Sequence, residues 1–124
     1  MSTESIVIRY FEALCGQDGA AMRALFAEDG VIDDYVGRHH VGGAAIEAFI
    51  NQVVKRKLRI VSEIVHEGQR ATAVAEIAYA DGRVTLVRWI FQIADGKIAH
   101  VGNTAVKQFP EAWKRSAALE MQSA

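Results

Sequence analysis

The carboxylate of Asp34 is the side chain in this sequence best placed to do chemistry. It stands in Val31-Ile32-Asp33-Asp34-Tyr35-Val36, a short strand pattern closed by Gly37. Alternate residues of a strand share a face, so Ile32, Asp34 and Val36 form an apolar face carrying one acid. Apolar neighbours strip a carboxylate of hydration and raise its pKa unless a partner holds the charge. A carboxylate so placed can act as a proton-transfer base. The same position also suits a solvated acid at a strand edge that caps a loop, and the residues alone leave both uses open. Tyr10, in the stripe of the first helix, offers a phenolic donor to a pocket or a core ring with its hydroxyl at the edge. His39 and His40 are neighbours on an extended segment and point apart. No spaced carboxylate set accompanies them, so they read as loop residues and no metal is expected. Ser62, on a strand, is a minor candidate for lining a pocket.

The elements that must position these groups follow from apolar periodicity. Ile6, Tyr10 and Leu14 recur at helical spacing with Val7 and Phe11 beside them, and Gly16 ends that helix. Asp18 is a plausible N-cap for a second helix with Met22, Leu25 and Phe26 on its stripe. Glu28-Asp29-Gly30 reads as a turn into the Asp34 strand. After Gly42-Gly43 a long third helix carries Ile46, Phe49, Ile50 and Val53, and its end meets the basic stretch Lys55-Arg56-Lys57, read as a solvated face. From Leu58 to Val106 four apolar runs alternate with turns at Glu67–Arg70, Ala80–Arg83 and Ala94–Lys97, the pattern of an antiparallel meander. The tail after Pro110 reads as a short helix with Trp113 and Leu119.

The strand Val84–Ala94 sets the inner face. Thr85, Val87, Trp89, Phe91 and Ile93 fall on the apolar side, and Val84, Leu86, Arg88, Ile90 and Gln92 on the mixed side. The mixed side carries enough apolar area for a homodimer contact. Turn chemistry then decides the neighbours. A three-residue loop after Ala94 puts Val101, Asn103 and Ala105 beside Trp89 and Val87, whereas a two-residue turn puts His100, Gly102 and Thr104 there. The matching choice at Ala80–Arg83 decides between Ile77 and Glu76. The three-residue loop is preferred at both, because a core-facing Glu without a partner is costly.

Bulk properties narrow the classes. The 124 residues suit one domain, 1–124, with a core of about 5–107 and a C-terminal extension over 108–124. Apolar residues make up 51%, which excludes disorder, and a net charge of −1 gives no basic footprint for nucleic acid. Cys15 is the sole cysteine, so no intramolecular disulfide forms and Cys-rich zinc motifs are absent. Cys15 itself reads as a small buried apolar residue. No apolar run is long enough to span a membrane, and Met1-Ser2-Thr3-Glu4 lacks the basic start of a signal peptide, so a cytoplasmic protein is expected.

Three blocks, Arg9-Tyr10-Phe11-Glu12-Ala13-Leu14, Leu25-Phe26-Ala27-Glu28-Asp29 and Asp33-Asp34-Tyr35-Val36-Gly37, occur in that order, followed by Gly42 through Phe49 and by Asp95-Gly96-Lys97-Ile98. Over roughly residues 5–107 the chain resembles the nuclear transport factor 2-like superfamily, and within it the ketosteroid isomerase and SnoaL-like polyketide cyclase branches. The resemblance implies a cone-shaped α+β fold, three N-terminal helices packed on a curved antiparallel meander sheet around a pocket. It also implies roles for a tyrosine on the first helix and an aspartate on the first strand, which fall on Tyr10 and Asp34. In ketosteroid isomerases an Asp base works with an oxyanion hole of a Tyr and a protonated Asp. Here the second acid's position falls on Trp89, whose indole donates one hydrogen bond but cannot act as an acid. Asn103 stands where the last Asp of the related limonene epoxide hydrolases is found, without a matching Arg–Asp pair.

The expected site is therefore Asp34 and Tyr10 as catalytic groups, with Trp89, Asn103, Phe91, Val101 and Ser62 around a small apolar substrate. No cofactor is expected. Asp34 should carry a raised pKa, and Asp34→Asn should leave folding nearly intact. Two classes stay open: an enzyme moving a proton at carbon on an apolar carbonyl compound (isomerase, cyclase or dehydratase), and a non-catalytic module that binds an apolar ligand or dimerises.

Overall fold

The computed structural model describes residues 2–106 and 115–122, and among these it has three helices and eight strands in one curved, open sheet of mixed direction. Helix α1 (Thr3–Cys15) starts at Ser2, whose Oγ accepts the Ser5 N–H at 3.1 Å. It buries Ile6, Val7, Tyr10, Phe11 and Leu14 against the sheet. Asp18 caps α2 (Gly19–Leu25) by accepting the Ala21 N–H at 3.0 Å. The left-handed residue between the helices is Gln17 (φ 53°), not Gly16. Gly19 is required for another reason. A Cβ there would lie 2.4 Å from the Glu47 carbonyl oxygen of α3 (Gly43–Asn51), so only glycine lets the two helices meet this closely.

Three local expectations fail in this half. Phe26 is not on α2; it opens β1 (Phe26–Asp33), and Glu28-Asp29-Gly30 runs on within that strand instead of turning. The strand is irregular there, with its register against β7 (Lys97–Val106) shifting between Phe26 and Val31. Second, α3 has only nine residues, so Val53 lies beyond it and Arg56 and Lys57 begin β3 (Arg56–Ser62). Third, the sheet is not wholly antiparallel: β1 pairs antiparallel with β2 (His39–Val41) and parallel with β7. A parallel pairing needs a long crossover, and everything from α3 to β6 supplies it.

The remaining strands form the expected meander. β3, β5 (Arg70–Tyr79), β6 (Val84–Ala94) and β7 are successive antiparallel neighbours, with short β4 (Val65–Glu67) set beside β5. Between β5 and β6 the loop is the expected three-residue type. Tyr79 and Arg83 face each other, and Gly82 takes φ 95°. Ile77 and Tyr79 therefore face inward, and Glu76 faces out toward Arg59 at 3.8 Å. Between β6 and β7 the loop is different. Ala94 pairs with Lys97, and Asp95 and Gly96 both have positive φ (53° and 75°), as a two-residue type I′ turn requires. That turn alone would have put Gly102 opposite Trp89. A one-residue register shift between Gln92 and Ile93 restores the pairing of Trp89 with Asn103 and Phe91 with Val101.

The sheet's inner face and α1 share an aromatic cluster. Tyr10, Phe11, Phe26, Trp89 and Phe91 meet with ring centroids 5.0 to 6.3 Å apart, mostly edge to face. The tail corrects another expectation. Arg115–Gln122 is strand β8, antiparallel to β3, so Leu119 lies on a strand opposite Ile60 and not on a helix. Its Ala, Leu, Glu and Met content favours helix locally, but an open sheet edge offers a full row of backbone partners. Trp113 lies outside the described residues. Among the described residues no helix is long and apolar enough to cross a membrane.

Candidate active site

Where the β1–β2 turn, α3 and the inner sheet face diverge, they leave a cavity of about 690 Å³. Tyr10, Asp34, Trp89 and Asn103 all line it. Phe91 and Val101 do not: both are fully buried behind the lining, Phe91 with its ring edge-to-face against Tyr10. Ser62 is also elsewhere. Its Oγ accepts the Val74 N–H at 2.8 Å and donates to the Glu63 carbonyl at 3.0 Å, so it satisfies backbone groups.

Asp34 lies one residue past β1, at the start of the turn to β2, and is 8% exposed. The turn closes by backbone bonds between Asp34 and Arg38 (3.0 Å) and from Gly37 N–H to the Asp34 carbonyl (3.1 Å), with Gly37 at φ 89°. That geometry aims two further N–H groups at the side chain. Oδ1 accepts from Val36 (3.1 Å) and Arg38 (2.9 Å). Oδ2 accepts from Arg38 Nε (3.1 Å) and from His40 Nε2 (3.0 Å). The expectation of a raised pKa is wrong. Burial pushes the carboxyl up, but the His40 bond, the two backbone N–H groups and the Arg38 charge outweigh it and hold Asp34 below its ordinary value. Val36, expected to share its face, is 63% exposed.

An ionised carboxylate only accepts, so His40 donates from Nε2. Its ring stacks on Phe49 of α3, centroids 3.7 Å apart and nearly parallel, which fixes its plane. Asp33 turns the other way and accepts from His39 and from His100 Nε2 (2.7 Å). The two adjacent histidines thus serve two adjacent acids on opposite sides of the strand, and only His40 reaches the cavity.

Tyr10, Trp89 and Asn103 converge at the cavity's buried end. Burial raises the Tyr10 pKa far above its ordinary 10.0, so the hydroxyl stays protonated as a donor. The nearby Trp89 and Asn103 groups, and the Arg56 charge, oppose that shift, while Asp34 adds to it. Trp89 Nε1 and Asn103 Oδ1 are buried without a hydrogen-bond partner among the described residues. The indole lies close enough to the Tyr10 oxygen to lower its pKa, without meeting hydrogen-bond geometry. A buried donor left unmade costs about 1–3 kcal/mol, and such a group is a mark of a site awaiting an acceptor.

Sequence reasoning missed the cavity's other end. Tyr35 and Tyr79 share a hydrogen bond between their hydroxyls, and Arg56 and Arg83 stand over the Tyr79 ring. Burial, and then the Tyr35 bond, raise the Tyr79 pKa. Arg56 belongs to the basic stretch read as a solvated face, but as the first residue of β3 it lines the cavity instead. Strand alternation was the available signal for His40, which sits opposite Ile32 in the β1–β2 register. Nothing in local pattern marked Arg83 or Tyr35.

A family model of the SnoaL-like domain matches residues 7–101. Among solved structures, a protein from Sphaerobacter thermophilus is similar at 25% identity and TM-score 0.78, over 87% of this chain and 99% of that one. A proposed polyketide cyclase from Sinorhizobium meliloti is similar at 27% identity and TM-score 0.67, over 81% and 94%. A protein of ketosteroid isomerase-like fold from Catenulispora acidiphila, solved with trimethylamine, shares the fold at 17% identity and TM-score 0.72, over 82% and 85%. A search of curated proteins finds no match.

Proposed function

Because the chain belongs to the SnoaL-like domain family, within the nuclear transport factor 2-like superfamily, we propose that its cavity carries out proton transfer at carbon on an apolar carbonyl compound. Isomerase, cyclase and dehydratase reactions all begin with such a step. The observation that carries this reading is the buried, ionised Asp34 in the same cavity as an orphaned Trp89 N–H and a protonated Tyr10 hydroxyl. Asp34 takes a proton from the carbon next to the carbonyl, and the C–H electron pair moves onto the carbonyl oxygen. Tyr10 and Trp89 donate to the enolate oxygen as its charge develops. The proton then returns from Asp34 to carbon. The four donors on Asp34 lower its basicity, so Tyr10 and Trp89 must supply most of the driving force through the enolate. His40 holds the carboxylate in place.

Deuterium incorporation at the α-carbon of 2-tetralone, followed by NMR, tests this. The native protein should accelerate exchange over buffer. Asp34→Asn should lower the rate by about 100-fold or more, and Tyr10→Phe by less, since Trp89 still donates. No acceleration, or exchange indifferent to Asp34, overturns the reading. One observation favours the alternative of a non-catalytic module that binds an apolar ligand. All four bonds to Asp34 also fasten the 34–38 turn, so the carboxylate has a sufficient structural use without chemistry.

A further inference from the structure

Two buried polar atoms at the inner end of this cavity have no hydrogen-bond partner among the described residues, and they are opposite in kind. Trp89 Nε1 can only donate, and Asn103 Oδ1 can only accept. Both residues line the cavity. They face each other in the β6–β7 ladder, and opposed residues of an antiparallel pair hold their Cβ atoms about 4.5–5.5 Å apart. The register shift between Gln92 and Ile93 is what brings Asn103 to Trp89 in place of Gly102, so the acceptor is there by construction of the strand. The Tyr10 oxygen lies close to both groups, and its hydroxyl stays protonated, so the polar groups at this end are neutral. Asp34, the carboxylate in the lining, already accepts from four donors. Both orphaned atoms are shielded from bulk water, so a partner for either comes from inside the cavity. A ligand bearing only a carbonyl would satisfy the donor and leave the acceptor unpaired, which forfeits the second bond.

We infer that the substrate of this site is a hydroxy ketone, whose carbonyl oxygen accepts from Trp89 and Tyr10 and whose hydroxyl, on a nearby carbon, donates to Asn103 Oδ1. This rests on the reading of the cavity as a proton-transfer site and names the class of molecule that such a site takes. The donor on the substrate is a neutral hydroxyl, because an ammonium would lose its hydration among neutral groups, with Asp34 already paired to Arg38 and His40. The acceptor is a ketone and not an amide. A carbon beside an amide carbonyl releases its proton far less readily, and Asp34 is a weak base. Two oxygens on alternate carbons of a small ring stand about as far apart as two opposed side chains do. Asn103 is then the residue that separates hydroxylated substrates from plain ketones, because a plain ketone leaves its oxygen unpaired.

Isothermal titration with 3-hydroxy-1-indanone, 3-methoxy-1-indanone, 1-indanone and 1-indanol separates the two oxygens. The hydroxy ketone should bind about tenfold more tightly than 1-indanone. The methyl ether cannot donate and should bind no better than 1-indanone. In Asn103→Leu the ratio between hydroxy ketone and 1-indanone should fall to about one, since the acceptor is gone. An Asn103 amide turned the other way would present a donor and suit the ether as well as the alcohol, so equal affinity for those two overturns the inference. Equal affinity for hydroxy ketone and 1-indanone, no binding of either, or a hydroxyl advantage that survives in Asn103→Leu also overturns it. So does 1-indanol binding as tightly as the hydroxy ketone, which would give both partners to a single hydroxyl. The wild-type comparison stands even if the variant fails to fold. Binding is read without turnover, so a hydroxyl advantage in a protein that exchanges no deuterium upholds the pairing with Trp89 and Asn103 and removes only the catalytic reading. Exchange on 2-tetralone without a hydroxyl advantage overturns this inference alone.

Discussion

Asp34→Asn separates what the carboxylate does for the fold from what it does for chemistry. In the native protein its two oxygens accept four donors, two backbone N–H groups on Oδ1 and two side chains on Oδ2. An amide has one acceptor oxygen and one donor nitrogen. If the oxygen keeps the backbone partners, the NH₂ group faces Arg38 Nε and His40 Nε2. His40 can adapt by moving its proton to Nδ1 and accepting at Nε2. Arg38 cannot accept, but it is 67% exposed and can turn to water. The loss is one charge-assisted bond and a weakening of the others, about 1.5–3 kcal/mol. The substitution therefore costs stability, contrary to the expectation from sequence that folding stays nearly intact. The pH dependence has a definite sign. The folded pKa of Asp34 lies below its ordinary 3.8, so its stabilisation is complete above 3.8 and is lost as pH falls through the folded value. Asn does not titrate. Urea unfolding of both proteins should show a gap of about 1.5–3 kcal/mol at neutral pH, narrowing as the acid limit is approached. A gap that stays constant through the acid range, or no gap at neutral pH, would refute the account of four donors on an ionised carboxylate.

Trp89→Phe removes a buried N–H without a partner along with part of a packed ring. The recovered desolvation, about 1–3 kcal/mol, should offset a packing loss of about 1–2 kcal/mol, leaving unfolding free energy within about 1 kcal/mol of native while 2-tetralone exchange falls at least tenfold. A large stability loss in that variant would mean the indole N–H is satisfied. Gly19→Ala should lower stability by about 1–3 kcal/mol or more by wedging α2 from α3, and a melting temperature equal to native would contradict the close approach. The outer face, where Val84 is exposed and Leu86 and Ile90 are half-buried, is proposed as a homodimer surface. Light scattering should give twice the chain mass for the native protein and the monomer mass for Leu86→Glu, and a native monomer at micromolar concentration would remove that surface from consideration.

The architecture was legible where it depends on periodicity. The α1 stripe, the meander and the inner face of β6 are set by repeating apolar positions, which many residues enforce together. Ile77 and Tyr79 could be placed because a core-facing Glu76 carries a large penalty. The parallel β1–β7 pairing was not legible, since local pattern records which faces are apolar and not which strands become neighbours across a long crossover. Residues 115–122 show the same limit: a helix-favouring sequence whose backbone pairs on a sheet edge. Asn103 was placed opposite Trp89 for an incorrect reason. Ala94–Lys97 forms the two-residue turn its Asp95-Gly96 favours, and a bulge near Ala99 cancels the expected shift. A residue's facing depends on the sum of turn and bulge, and only the turn has a sequence signature.

The site follows the same division, and its consequence is chemical. Strand alternation correctly directed Asp34 inward, because facing is a property of the backbone. The sign of its pKa shift is a property of the donors around it, and these come from the turn that follows. Val36 and Arg38 act through their N–H groups, which every residue but proline carries, so nothing in their side chains announces the interaction. Only Arg38 Nε and His40 Nε2 have a residue type behind them, and both lie within six positions of Asp34. A buried acid followed by a tight turn rich in positive and donor residues should thus be read as ionised, not as a raised-pKa base. For a proton-transfer site this moves the burden of catalysis from the base to the acceptor end. A weakly basic carboxylate can take a carbon-bound proton only if the enolate is strongly held, and the unpaired Trp89 N–H beside the Tyr10 hydroxyl is where that holding would occur.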